Sequence, residues 1–278
     1  MSNDHALSSA QLILKTVGEI LERGTRAVLV TVLDSPEPPV TAGAKLIVHE
    51  SAEIVGSLGN SDLDKAVARQ AKAFLQGRDE VKTSKVADLA PDLAAFAGTK
   101  ILFERVEAEP RLVIAGAGHV GASLARLSAL VGYQVTLIDD RAEFVDRKLF
   151  ASESERGIDL VAANDWQVAM REAIGNGRGV SVAIVTRGHK QDEECLRATI
   201  HSHPDYVGMI GSKRRTNIVL EKLREEGADE DELKRVRAPI GLDIAAVSPE
   251  EVALAILAEI VAERRGGLGK SLSSWRRS

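Results

Sequence analysis

The chain has one cysteine, Cys195, in 278 residues. An intramolecular disulfide is therefore excluded, and so are a four-cysteine zinc site and a cysteine-ligated iron–sulfur cluster. No apolar run approaches the ~20 residues that a membrane-spanning helix requires. Positive charge is not in excess: 36 Lys and Arg against 41 Asp and Glu give a formal charge of −5. That balance argues against a dedicated nucleic-acid binder, which would carry a basic domain, but leaves a small phosphorylated ligand open. The polar start, Met1 to Ser9, lacks the basic-then-apolar order of a secretory signal. With the single thiol, this makes a reducing cytoplasm the expected location. Aromatic residues are scarce at 3%, yet 44% hydrophobic and 28% charged residues are an ordinary globular balance. The length accommodates two domains.

Two rhythms divide the chain. Leu12, Ile13, Val17, Ile20 and Leu21 recur at helical spacing over residues 9–22. Short β-like stretches follow at 27–33, 44–49 and 53–57, and Pro36, Pro38 and Pro39 mark a loop between the first two. A helical pattern covers 62–76 and a strand is expected at 100–106, with a polar stretch between them that carries no clear pattern. This is a small α+β domain, residues 1–108. From 109 onward, strands at 112–115, 134–139, 158–163, 180–186 and 206–210 alternate with helices at 120–131, 166–174, 191–201 and 213–226. Such alternation predicts an α/β, Rossmann-like domain with a mostly parallel sheet, residues 109–265. Ser248, Pro249 and Glu251 form a helix-opening capping box. The apolar stripe Val252, Ile256, Ile260, Val261 behind it is expected to pack on the sheet, with a dimer face as the alternative. Residues 266–278 are expected to be a flexible basic tail.

The chemistry-bearing motifs fall after strands. Gly116-Ala117-Gly118-His119-Val120-Gly121 follows a strand and opens a helix. The three glycines suit a tight turn, close approach of a phosphate to the backbone, and close helix–strand packing. The unpaired N–H groups and helix dipole would face an anion. Asp139 ends the next strand, where a carboxylate can accept a ribose-like diol. Two further loops, Thr186-Arg187-Gly188-His189-Lys190-Gln191-Asp192 and Gly208-Met209-Ile210-Gly211-Ser212-Lys213-Arg214-Arg215, fall where ligands bind in such sheets. Cations at a helix N-terminus oppose its dipole, so Lys213 and Arg214 suggest an anionic ligand, against a solvated basic turn. Cys195, inside a helix, is expected to be a small core residue rather than a persulfide acceptor. His201 and His203 are expected at a helix C-terminus rather than at a metal. Trp166 is expected to pack, and Trp275 is a docking anchor or nothing.

These strings, with Ile138-Asp139-Asp140-Arg141, the run from Tyr206 to Ser212, Ala238-Pro239-Ile240-Gly241-Leu242-Asp243 and Ser248-Pro249-Glu250-Glu251, resemble the XdhC/CoxI family of accessory factors for xanthine dehydrogenase and related molybdenum hydroxylases. Order and spacing match over about residues 110–265. The N-terminal region is similar more loosely, and Gly59-Asn60-Ser61-Asp62 stands where some relatives have a run of glycines or a cysteine. The resemblance implies a non-catalytic carrier that binds molybdenum cofactor as cargo. It also implies protection of the cargo while a partner cysteine desulfurase exchanges an oxo ligand for sulfido, insertion into a xanthine dehydrogenase-like hydroxylase, and a homodimer. The glycine turn or the Ser212–Arg214 loop would take the cofactor's phosphate. Asp139, Asp140 and Arg141 would meet polar edges, and Arg187 and His189 the molybdenum oxo groups. The alternatives are an NAD(P)-binding oxidoreductase and a nucleotide-sensing domain. Against the former, the N-terminal region's only histidines are His5 and His49, and no acid–base constellation is evident there.

Overall fold

A computed structural model describes residues 8–77 and 79–273. Met1 to Leu7, and with them most of the polar start, lie outside the described residues; so do Trp275, Arg276 and Arg277 of the tail. The chain divides into two compact units, Met1–Ala108 and Glu109–Ser278.

In the first unit, α1 (Ser9–Arg23) is followed by β1 (Arg26–Asp34), β2 (Lys45–His49), β3 (Ile54–Ser57), α2 (Ser61–Gln76), β4 (Val81–Lys85), the single turn α3 (Val86–Leu89) and β5 (Lys100–Glu107). The five strands form one antiparallel sheet in the order β3-β2-β1-β5-β4. Alternation along β1 explains the layering. Val28, Val30 and Val32 bury against Leu63, Val67, Ala71 and Phe74 of α2, whereas Ala27 and Leu29 meet Ile13 and Ile20 of α1 on the other face. Arg105 crosses from β5 to close the C-terminus of α2, donating to the carbonyls of Phe74 at 3.2 Å and Gly77 at 3.0 Å. The loop before α2 is tied within itself. Asp64 accepts from the Leu58 N–H at 2.8 Å and the Ser57 hydroxyl at 2.7 Å, and Asn60 caps the helix.

The second unit runs β6 (Arg111–Ala115), α4 (His119–Leu130), β7 (Gln134–Asp139), β8 (Ile158–Ala162), α5 (Trp166–Ile174), β9 (Val180–Ile184), α6 (His189–Ser202), β10 (Tyr206–Met209), α7 (Lys213–Glu225), α8 (Glu230–Arg235) and α9 (Pro249–Arg265). Its five strands are all parallel, in the order β10-β9-β6-β7-β8. This is the α/β fold expected, a parallel Rossmann-like sheet after a smaller domain. One face of the sheet buries α4 and α9 with Leu112, Ile114 and Leu137; the other buries α5, α6 and α7 with Val113, Val182 and Ile184. β6 feeds α4 on one face and β9 feeds α6 on the other. The connections therefore part at the carboxyl ends of β6 and β9, opening a crevice there.

Two expectations are corrected. β9 stops at Ile184 rather than at residue 186, and α6 starts at His189 rather than at 191, because the Asp192 N–H closes the first turn on the Gly188 carbonyl at 3.0 Å. The polar stretch between 77 and 99 contains β4, which among the described residues is an edge strand paired with β5 alone. Beyond α9, residues 267–273 form neither helix nor strand. Three residues of the α9 stripe pack inward as expected, Ile256 and Ile260 buried among Leu124, Ala125 and Ile114 with Val252 partly buried beside them, whereas Val261 is exposed.

Candidate functional site

The carboxyl end of β6 turns at Gly116, whose φ of +108° is the left-handed region that glycine tolerates. A Cβ there would also stand 2.7 Å from the Val185 carbonyl oxygen of the neighbouring loop. Gly121 lies so close under the turn that a Cβ would overlap the Gly116 carbonyl oxygen. Gly118 differs. Its φ is −64°, no atom lies within 4 Å of a Cβ built on it, and it caps α4 with no side-chain acceptor for the first N–H groups. Gly188 likewise caps α6 with no side-chain hydrogen bond, but there a Cβ would stand 2.5 Å from Gln191 Oε1. His119 and His189, the first residues of the two helices, are exposed. Two uncapped helix N-termini thus flank the crevice, one on each face of the sheet.

Asp139 is not the free acceptor expected of it. Its carboxylate is 2% exposed. Oδ2 accepts from the Ala117 N–H at 2.7 Å and Arg141 Nη2 at 2.9 Å; Oδ1 accepts from the Arg141 N–H at 3.0 Å and Nε at 2.8 Å. A carboxylate offers about four lone-pair positions, and all are taken. Asp139 therefore holds the glycine turn, and no position remains for a ribose hydroxyl. Burial pushes this carboxyl's pKa up, but the Arg141 bond and the two backbone N–H groups together bring it below its ordinary value. Arg141, committed to Asp139, lies with its guanidinium carbon 3.7 Å from the Phe144 ring centre. It braces the turn rather than projecting freely.

Asp140 and Arg187 meet across the crevice, Arg187 Nη2 donating to Asp140 Oδ2 at 3.2 Å. On the far side, Thr186 donates to Asp192, and Arg215 forms an ion pair with the same carboxylate, which is fully buried. Burial raises the Asp192 pKa against the opposing pull of Thr186 and Arg215. This cluster ties the loop after β9 to the start of α7, where Ser212 caps the Arg215 N–H at 3.3 Å and Lys213 and Arg214 are exposed. Gly116, Gly118, His119, Gly121, Arg187, Gly188 and His189 gather at β6 and β9. Gly211, Ser212, Lys213 and Arg214 stand one strand further out, after β10. Sequence reasoning read Asp192 and Arg215 only as the ends of two ligand loops and missed their pairing with each other. Their signal is a polar residue on the buried stripe of α6, where Asp192, Cys195, Leu196 and Thr199 share one face.

Cys195 is wholly buried in the core, and burial, with Asp192 and Glu194 nearby, pushes its thiol well up, so it stays protonated. His203 ends α6 in the left-handed conformation, its Nδ1 3.3 Å from Glu232. Trp166 is buried, as expected.

Comparison with known proteins bears on this crevice. A family model described as the XdhC Rossmann domain matches residues 112–260, and one for the XdhC and CoxI family matches residues 20–84. The chain belongs to the XdhC and CoxI family. The uncharacterized Escherichia coli (strain K12) protein YqeB is 28% identical over 261 residues, covering 92% of this chain and 47% of that protein. A probable xanthine dehydrogenase subunit of Bacillus subtilis (strain 168) is 28% identical over 167 residues, 60% of this chain and 47% of that protein. The molybdenum cofactor insertion chaperone PaoD of Escherichia coli (strain K12) is 27% identical over 154 residues, 55% of this chain and 40% of that protein. The chain spans about half the length of the curated relatives it matches. A xanthine dehydrogenase crystal structure from Bacillus halodurans shares the fold, with a TM-score of 0.61 over 97% of this chain and 70% of that one at 20% identity. Among the described residues, no helix is long and apolar enough to cross a membrane.

Proposed function

We propose that this XdhC-family chain is an accessory carrier for molybdenum hydroxylases. In this reading it takes molybdenum cofactor as cargo, holds it while a cysteine desulfurase supplies the sulfido ligand, and passes it to a xanthine dehydrogenase-like client. It works as a homodimer and turns over no substrate itself. The observation that carries the reading is the uncapped, open start of α4 at Gly118, beside the uncapped start of α6, in a domain of this family. Those N–H groups suit the cofactor's terminal phosphate. Arg187, Lys213 and Arg214 add exposed positive charge, and His119 and His189 add hydrogen-bonding groups at the rim. The saturated carboxylate of Asp139 speaks against a dinucleotide, whose ribose would need it.

Gly118→Ala tests the assignment. Its backbone angle and surrounding space accept a methyl group, so the variant folds, yet the methyl group occupies the approach to the α4 N–H groups. Retention of molybdenum cofactor after gel filtration, read as its fluorescent oxidised pterin, should fall about tenfold, equivalent to ~1.4 kcal/mol. Undiminished retention by a folded variant would remove the glycine turn from the site.

A further inference from the structure

The Asp140–Arg187 pair occupies a particular place. Asp140 follows β7 and Arg187 follows β9, and β6 lies between those strands in the sheet. Neighbouring strands stand about 4.8 Å apart, so a side-chain bridge between these loops spans about two strand widths over the carboxyl end of β6. The end of β6 is the glycine turn. The pair is closed at 3.2 Å yet remains wet, with side chains 28% exposed for Asp140 and 52% for Arg187. A solvated pair of this kind contributes little to stability and opens at small cost. Arg141 Nε comes within 3.8 Å of Asp140, but that N–H and Nη2 donate to Asp139. Arg187 is thus the exchangeable partner.

We propose that Asp140 is a specificity-determining residue, an internal counter-ion that an anionic cargo must displace from Arg187. With the bridge closed, Arg187 is neutralised and a carboxylate guards the approach. A weakly charged anion gains too little from Arg187 to open the pair, whereas a phosphate dianion or pyrophosphate gains more than the carboxylate it replaces. Arg187 moves from one anion to another and no bond is made or broken. Asp140 therefore lowers affinity for every anion, and selects the multiply charged ones. The proposal rests on the carrier reading for the identity of the cargo, and on the geometry alone for the sign of the effect.

The test compares the full-length wild type with Asp140→Asn and the double variant Asp140→Asn/Arg187→Gln, using molybdenum cofactor and inorganic pyrophosphate as separate probes. Asp140→Asn should bind both about fivefold more tightly than wild type, with its melting temperature little changed. The double variant should lose that gain, because the freed guanidinium is its source. Equal or weaker binding by Asp140→Asn, or a gain that survives loss of Arg187, overturns the proposal. If pyrophosphate shows the gain while cofactor binds none of the three proteins, the carrier reading fails and the counter-ion role stands. If neither probe binds any of the three, both fall.

Discussion

Two carboxylates near the crevice have pKa values shifted in opposite directions. Asp139 has its folded-state pKa lowered, so its contribution to stability is present above the unfolded value, near 3.9, and is lost as pH falls through the folded one. Asp192 has its pKa raised: ionising it in the folded state costs stability, and that cost is relieved as pH falls through its folded value. In urea titrations across the acid range, Asp139→Asn should lose about 2–3 kcal/mol at neutral pH and show a shallower fall in stability below pH 4 than wild type. A variant whose acid profile superimposes on wild type would show that Asp139 does not hold the turn. The glycines can be separated in the same experiment. Gly121→Ala, whose Cβ overlaps a backbone carbonyl, should cost at least ~2 kcal/mol, while Gly118→Ala should cost little. The three-glycine string was legible in the sequence as a turn. The division among its glycines was legible too, Gly118 as the position of close approach and Gly116 and Gly121 as the tight ones, but not the Val185 carbonyl that crowds Gly116, which comes from a loop distant in sequence. The same limit applies to Asp139. A strand-end carboxylate looks alike whether it faces a ligand or its own backbone.

Elements were legible where burial is periodic. α5 and β7 fall at the expected residues, and the capping box of α9 forms as its sequence indicates, with Ser248 capping the Glu251 N–H and Glu251 bonding back to the Ser248 N–H. β4 was illegible for a physical reason: an edge strand with mostly exposed side chains owes its conformation to β5's hydrogen bonds rather than to its own pattern. α9 illustrates a third case, in which periodicity marked the stripe and the sheet as its partner but not α4. The stripe packs against α4, so Ile256→Ala should leave a cavity between two helices and cost about 2–4 kcal/mol in urea-induced unfolding. A cost below ~1 kcal/mol would mean that the face is not packed core.

At the scale of the whole chain, the order of strands turns scattered motifs into one place. The loops after β6, β7, β9 and β10 are separated by up to about a hundred residues of sequence, yet they share one edge of one sheet. Asp139–Ala117, Asp140–Arg187 and Asp192–Arg215 fasten that edge from β7 to α7. In the proposed reading, the fastened, basic-rimmed edge of this XdhC and CoxI family chain is the feature that suits a polyanionic guest. Parallel equilibrium titration of the purified chain with molybdenum cofactor and with NADH tests this most directly. The expected result is saturable cofactor binding, with NADH binding at least about a hundredfold weaker, a gap of ~2.7 kcal/mol. Tight NADH binding with no retained cofactor would contradict it.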